Sequence, residues 1–306
     1  MQFRLGTRGS ALALVQARMT RDALCAAHGW SPDRVEIVPI RTTGDRVQDR
    51  ALADIGGKAL WTKELDRALL DGAVDACVHS MKDVETIRPA AIAIAAMLPR
   101  ADVRDRLIGA AAIGDLRHGA VVGSSSPRRR AQLLRMRPDL RIVLFRGNVG
   151  TRLAKLAAGE VDATLLAAAG LDRLDHGDIG HALPTDVMLP APAQGAVGIE
   201  VRAADVGAQA LVAAIDHRET SLCVLAERAL LAGLGGDCHT PVAAMASLAG
   251  ETLRLRAELL AEDGSAHVEG SIEGIAGDDC GRELAADLLG RAPPAIRRLF
   301  APPPQP

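Results

Sequence analysis

Aromatic side chains are scarce in this sequence: its 306 residues include two Trp, three Phe and no Tyr. So few rings exclude a surface that grips single-stranded nucleic acid by stacking bases. A charge excess is missing too, because 36 Lys and Arg stand against 38 Asp and Glu, a formal net charge of −2. No overall basic field is available to displace counterions from nucleic acid or an anionic membrane. Long apolar runs are absent. The longest, Ala90 to Leu98, has nine residues, and a membrane helix needs roughly 20. No secretory leader is legible, since Arg4 and Arg8 interrupt the first residues and Ala11 to Val15 is too short for its apolar core. Cysteine is sparse and odd in number, with Cys25, Cys77, Cys223, Cys238 and Cys280 and no C-x-x-C pair. That argues against a disulfide framework or a structural zinc site, and no metal is expected, since adjacent Cys238 and His239 do not make a four-ligand set. The expectation is a soluble, cytoplasmic protein that binds neither nucleic acid nor membrane.

What is present is a globular composition, 48% apolar and 24% charged, in a chain too long for one ordinary core. Short β-branched runs alternate with amphipathic stretches. Arg4 to Thr7 ends a first strand, and Ser10 opens a helix through about His28 that Gly29 closes. Val35–Arg41, Val74–His79 and Ile92–Met97 read as strands, and Trp61–Leu70 as a helix. After a crossover at Leu98–Asp102 the same grammar repeats. Ala120–Gly123, Ile142–Phe145 and Ala163–Ala168 are strands, Ser126-Pro127 starts a helix, and Thr151–Ala158 is another. Strand–helix–strand order implies an α/β fold with largely parallel sheets. Two similar units suggest paired lobes with a ligand cleft at the carboxyl ends of the strands. The last third differs: a helix over about Glu219–Leu231, strand-like runs at Val242–Leu248, Leu253–Leu260 and His267–Ile272, and a helix over about Asp278–Leu289 read as a small α+β domain. The Pro-rich tail 301–306 is expected to be disordered.

Basic residues recur where strands end: Arg8, Lys82, Arg128 with Arg129, Arg146 with Arg152, and Arg173. Any single one reads better as a solvated surface charge. Their repetition at strand ends points to an anion site, for which the forked guanidinium is suited. Ser124-Ser125-Ser126-Pro127-Arg128 is either an anion-binding helix start or an ordinary cap with a basic first turn. The Gly-bearing turn Arg146-Gly147-Asn148-Val149-Gly150-Thr151-Arg152 matches no nucleotide fingerprint. In His79-Ser80-Met81-Lys82-Asp83 a carboxylate beside a base can stabilise a cation or relay a proton, or form a plain surface ion pair. Cys238, in Gly235-Gly236-Asp237-Cys238-His239, is a loop thiol, whereas Cys25, Cys77 and Cys223 lie on apolar segments.

Taken together these motifs, with Gly6-Thr7-Arg8-Gly9-Ser10, Gly56-Gly57-Lys58 and Gln194-Gly195-Ala196, closely resemble the porphobilinogen deaminase (hydroxymethylbilane synthase) family, in its order and over nearly the whole chain. The resemblance implies a transferase of tetrapyrrole (haem) biosynthesis. Such enzymes join four porphobilinogen molecules head to tail, release four ammonia, and free hydroxymethylbilane. Growth occurs on a dipyrromethane cofactor, attached by a thioether to the cysteine that Cys238 matches. Three domains are implied: residues 1–98 with 197–215 and residues 102–190, both α/β lobes like type II periplasmic binding proteins, then residues 219–300 carrying the cofactor cysteine. Asp83 matches the catalytic aspartate, and would stabilise the electron-poor cation left when ammonia departs. Lys82, Asp83, Ser126, Arg128, Arg129, Arg146 and Arg152 would hold the cofactor, whose pyrrole units carry acetate and propionate. Arg8, Ser10, Gln16, Arg173 and Gln194 would face substrate, with Lys58 and Trp61 on a covering lid. A monomer is the family expectation.

The chain departs from the family pattern at several positions. Trp61 stands for a usual Phe, Glu85 for a proline after Asp83-Val84, Pro127 for an apolar residue, and Ala193 for a Gly. Asp237 interrupts the usual Gly-Gly-Cys and places an acid beside the Cys238 thiol, where it would raise the thiol pKa and slow attachment. Two other readings stand beside this one. One is a non-enzymatic anion-binding protein of the periplasmic type, which needs no covalent cofactor. The other is nucleic-acid binding through Ser126-Pro127-Arg128-Arg129-Arg130, which the net charge disfavours.

Overall fold

The computed structural model describes residues 2–41, 62–237 and 239–300. Along the chain its elements are β1 (Phe3–Arg8), α1 (Ala11–His28), β2 (Val35–Ile40), α2 (Lys63–Leu70), β3 (Ala76–Ser80), β4 (Ile92–Met97), β5 (Asp105–Ile108), β6 (Val121–Gly123), α3 (Pro127–Met136), β7 (Arg141–Val143), α4 (Val149–Ala157), β8 (Ala163–Ala167), α5 (Ala168–Asp172), β9 (His181–Ala182), β10 (Val197–Arg202), α6 (Val206–Ala213), α7 (Arg218–Leu234), β11 (Val242–Ala249), β12 (Thr252–Leu260), β13 (His267–Ile275), α8 (Cys280–Arg291) and α9 (Pro294–Arg297).

The chain divides into two compact units. The first joins Met1–Asp102, Ala169–Gly177 and Gly195–Ser221; the second joins Val103–Ala168, Asp178–Gln194 and Leu222–Pro306. In the first unit a five-stranded sheet has the order β2-β1-β3-β10-β4. β1 runs parallel to β2 and β3, and β10 is inserted antiparallel between β3 and β4. In the second unit the order β7-β6-β8-β5-β9 repeats this plan, with β5 as the antiparallel insert. A three-stranded antiparallel sheet, β11-β12-β13, completes the second unit. The fold is therefore α/β with two lobes of one design and a small C-terminal α+β portion. The sheets are mixed rather than largely parallel as expected: in each five-stranded sheet the inserted strand makes two of the four pairings antiparallel.

Local chemistry explains where the elements begin. Ser10 caps α1 by accepting a hydrogen bond from the Ala13 N–H at 3.3 Å, and Gly29 ends it at φ 64°. Ser126 caps α3 with Pro127 at its first position. The helix expected from Thr151 starts earlier, at Val149, because Asn148 is the cap. The Trp61–Leu70 expectation becomes Lys63–Leu70 within the described residues, Trp61 lying outside them, as does the tail 301–306. Each lobe has an apolar core on its sheet. Leu5, Leu24, Val197 and Ile199 pack in the first, and Leu107, Val122, Leu133 and Leu165 in the second. Each such side chain contributes about 1.5–3 kcal/mol on burial. Among the described helices none is long and apolar enough to cross a membrane. Cys77, Cys223 and Cys280 are buried thiols and Cys25 is half-buried.

Candidate active site

The first unit carries a pocket at the carboxyl ends of β1 and β3. Arg8 is the last residue of β1, Ser10 the cap of α1, and Gln16 lies nearly two turns further along that helix. Asp83 comes from the 3-10 turn Met81–Asp83 that follows β3 directly, and Thr62 and Ser80 complete the polar lining. The structure thus brings together Arg8, Ser10, Gln16 and Asp83. The Gln16 amide is fixed, its Nε2 donating to Ser80 Oγ at 2.7 Å. The Asp83 turn is anchored by Met81, whose N–H donates to the Ala196 carbonyl at 3.1 Å and whose side chain is buried against Gly198. A Cβ on Gly198 would overlap Met81 Sδ and lie 2.8 Å from its Cγ, so the strand beside Asp83 requires glycine. Lys82 lies next to Asp83 in the same turn and is half-buried.

Beneath the pocket lies a charge network that sequence reasoning missed. Glu200, wholly buried on β10, accepts from Arg88 Nε at 2.8 Å and Nη2 at 2.9 Å, and pairs with His79 Nε2 at 3.1 Å. Arg88 also bridges to Asp66 and Glu85, each at 2.5 Å, and Thr62 Oγ1 lies 2.6 Å from Glu85. Burial opposes ionisation of Glu200, but the bonds from His79 and Arg88 outweigh it and hold its pKa at about 2. Burial pushes Asp66 up. Glu85, the departure from the family's proline, is therefore an ion-pair partner of Arg88 and ties Thr62 to the segment after Asp83. The available signal was Glu200 itself, an acid inside the apolar run Val197-Gly198-Ile199-Glu200-Val201.

Arg173 also belongs to the first unit, where its Nη2 donates to the Gly195 carbonyl at 2.8 Å. Its Nε–H is buried with no acceptor among the described residues, and burial lowers its pKa.

In the second unit, two parallel neighbours, β6 and β7, each lead through a turn into a helix. After β6, Ser126 Oγ accepts from the Arg129 N–H at 3.4 Å, which leaves its own O–H to donate. After β7, Gly147 sits at φ 123°, where a Cβ would lie 2.7 Å from the Thr151 side chain. Asn148 Oδ1 accepts from Thr151 N–H at 2.9 Å, and Arg152 Nε donates to the Gly147 carbonyl at 3.0 Å. Ser125 Oγ, donating to the Phe145 carbonyl at 2.7 Å, ties the two turns together and so brings the Ser126 and Arg146 segments side by side. Ser126, Arg128, Arg129, Arg146 and Arg152 thus share one end of one sheet, as strand order predicted.

Arg128 and Arg129 are less open than a rim of surface cations would be. Their side chains are 3% and 7% exposed and converge on Asp105, at 2.8 and 2.7 Å. Gln194, expected at the substrate, is likewise buried in the second unit, donating to Asp105 Oδ1 at 2.9 Å and to the Val103 carbonyl at 2.7 Å. Asp105 is wholly buried, yet the two guanidinium charges outweigh burial and hold its carboxyl well below the usual range. The Nε–H groups of both arginines remain buried without an acceptor among the described residues. Buried unfilled donors of this kind, next to a helix start, fit a carboxylate-bearing ligand.

Lys58, Trp61 and Cys238 lie outside the described residues. Beside Cys238, Asp237 Oδ1 accepts from the His239 N–H at 2.8 Å, and Thr240 Oγ1 donates to the Asp237 carbonyl at 2.6 Å. The acid is engaged in closing its own turn. Among the described residues one group could hold a metal ion, Glu258, His267 and Glu269, with ligand atoms within 4.8 Å of one another. Glu258 is already engaged by Arg135 at 3.1 Å and Gln132 at 3.0 Å.

Comparison with known proteins follows this geometry. Residues 3–210 match the family model described as porphobilinogen deaminase, dipyromethane cofactor binding domain, and residues 221–290 match porphobilinogen deaminase, C-terminal domain. A porphobilinogen deaminase of Sphingopyxis alaskensis is 58% identical over 307 aligned positions, covering 98% of this chain and 96% of the relative. One of Paracoccus denitrificans is 55% identical over 296, covering 95% of each. A solved substrate-binding domain of an amino acid transporter from Streptococcus pneumoniae has a TM-score of 0.43 at 12% identity, over 70% of this chain and 90% of that one. With both family models matched in order across the chain, and relatives covered almost end to end, the chain belongs to the porphobilinogen deaminase family.

Proposed function

We propose that this chain is the transferase that joins four porphobilinogen molecules head to tail, releasing four ammonia and hydroxymethylbilane, in tetrapyrrole (haem) biosynthesis. The observation that carries the reading is the pocket of the first unit, where Asp83 faces Arg8, Ser10 and Gln16. Porphobilinogen offers two carboxylates, a pyrrole N–H and an aminomethyl group. Arg8 and Ser10 bind a substrate carboxylate, the guanidinium by paired bonds and the hydroxyl by donation. Gln16, held by Ser80, orients the ring. The Asp83 carboxylate accepts the pyrrole N–H and stabilises the positive charge that develops as ammonia leaves. Its turn is pinned by Met81 and Gly198, so little reorganisation is needed when that charge appears. Arg173 and Gln194 are assigned to the substrate path, Gln194 through its hold on Asp105.

The family's cofactor is dipyrromethane, which when bound supplies a primer with a nucleophilic pyrrole carbon. On this chain Lys82, Asp83, Ser126, Arg128, Arg129, Arg146 and Arg152 would hold it, and Cys238 would carry it as a thioether. The unfilled Nε–H donors of Arg128 and Arg129 support that assignment. Lys58 and Trp61 are assigned to a lid. We further assign three domains (1–98 with 197–215, 102–190, and 219–300), a monomeric state, a cytoplasmic setting, and no nucleic-acid or membrane partner.

Intact-mass measurement of the purified chain tests the reading. An adduct of two pyrrole units is expected, absent in Cys238→Ala. Asp83→Ala should keep the adduct and lose at least about 100-fold in turnover. A folded chain that stays unmodified after incubation with porphobilinogen would sink the proposal and favour a non-enzymatic anion-binding protein.

A further inference from the structure

One buried carboxylate organises the second unit's cationic site, and no motif marks it. Asp105, the first residue of β5, has no exposed surface. Its Oδ2 takes Arg128 Nη2 at 2.8 Å, while its Oδ1 takes Arg129 Nη2 at 2.7 Å and Gln194 Nε2 at 2.9 Å. The far sides of the guanidiniums are also fixed. Arg128 Nη1 donates to Gln132 Oε1 at 3.0 Å and to the Leu189 carbonyl at 2.9 Å, and Arg129 Nη1 donates to the Leu165 carbonyl at 2.9 Å. Both planes are therefore locked, with the Nε–H of each left over. Within this cluster of three, one negative charge faces two positive ones, so the cluster itself stays attractive to an anion.

Gln194 adds a second link. It is the last residue of the second unit before the chain passes to the first at Gly195, and Val103, whose carbonyl it also holds, is the first residue after the chain's first passage, at Asp102. Asp105 thus joins the two arginines to two points where the chain changes unit.

We propose that Asp105 is a positioning residue for the polymerisation reaction: it sets the orientation and net charge of Arg128 and Arg129 toward ligand carboxylates, and keeps them in register with the Val103 and Gln194 passages. The inference rests on the functional reading above. It differs from a merely structural role in one respect. A structural residue changes how much protein folds, whereas a positioning residue changes what each folded molecule does.

The test uses the full chain and two variants, Asp105→Asn and Gln194→Met. The first keeps shape and removes charge; the second cuts the link without leaving a buried charge, and so stays informative should Asp105→Asn not fold. Cofactor-free protein is incubated with porphobilinogen, and adduct acquisition is followed by intact mass. Turnover is then measured per adduct-bearing molecule. The expected result is adduct acquisition at least 10-fold slower in both variants, with kcat per adduct-bearing molecule at least 10-fold lower and KM for porphobilinogen within twofold. Wild-type rates of acquisition and turnover per adduct-bearing molecule in a folded variant would overturn the proposal. A wild-type chain that takes up no adduct would instead overturn the functional reading on which it rests.

Discussion

Replacing Glu200 with glutamine isolates the buried network under the Asp83 pocket. In the folded chain Glu200 is held at about 2 against an ordinary value of 4.5. A carboxylate depressed on folding stabilises the folded state fully above its unfolded value, and that contribution fades as the pH falls through the folded value. Here the window runs from about pH 4.5 down to about pH 2, and the difference is worth about 3 kcal/mol, of which about 2 kcal/mol is gone by pH 3. Glutamine keeps the shape and removes the titration, although Arg88 and His79 lose a charged partner. The variant is therefore less stable at neutral pH, and the gap should narrow by about 2 kcal/mol between pH 7 and pH 3. Trp30 reports on the same unit, packed 6.4 Å from Phe3 and stacked 4.7 Å from His28. Urea unfolding in a Trp61→Phe background, scored by midpoint because the His28 contact alters intensity, gives the two curves. A gap that stays constant across this range would refute the reasoning.

Three further changes have expected outcomes. Gly198→Ala overpacks Met81 and should cost about 1–3 kcal/mol in urea unfolding, with kcat falling more than KM changes because Asp83 shares the turn; full stability and rate would show that Met81 moves aside freely. Ala193 has φ 61°, so Ala193→Gly relieves left-handed strain and should gain up to about 1 kcal/mol in melting experiments; a lower Tm would mean that Glu227, whose Oε2 accepts from the Ala193 N–H at 2.5 Å, already offsets that strain. Ser126→Ala removes the cap of α3 and should lower stability by about 1 kcal/mol; an unmoved midpoint would show that the 3.4 Å bond to Arg129 contributes nothing.

What the sequence made legible was local chemistry. Ser10, Gly29, Ser126 and Pro127 each act on their own neighbours, so helix starts and stops could be read within a turn or two. Asn148 was overlooked as a cap because Gly150 made a later start look natural. Strands β5 and β10 went unread because each is inserted antiparallel into its sheet, outside the strand–helix–strand alternation that marks the others. Their partners come from distant parts of the chain, Gly198 facing His79 and Asp105 facing Ala167. The same distance hid the burial of Arg128 and Arg129. As a string, Ser-Pro-Arg-Arg-Arg reads as an exposed basic turn; only the arrival of β5 and Gln194 turns two of its charges inward onto Asp105. Glu85 was legible as a departure from the pattern, but its reason, Arg88 between three carboxylates, lies in the strand that carries Glu200.

The late insertion of β10 also has a cost in time. β4 ends at Met97, and among the described strands its sheet neighbour is β10, which begins at Val197. At synthesis rates of about 5–20 residues per second, the intervening stretch of roughly 100 residues takes about 5–20 s to emerge. For that interval β3 and β4 have open edges on a nascent chain. The first unit cannot close its sheet during synthesis until much of the second unit has been made, so any strategy for expressing it alone must supply residues 195–221, and 169–177 with them, as well.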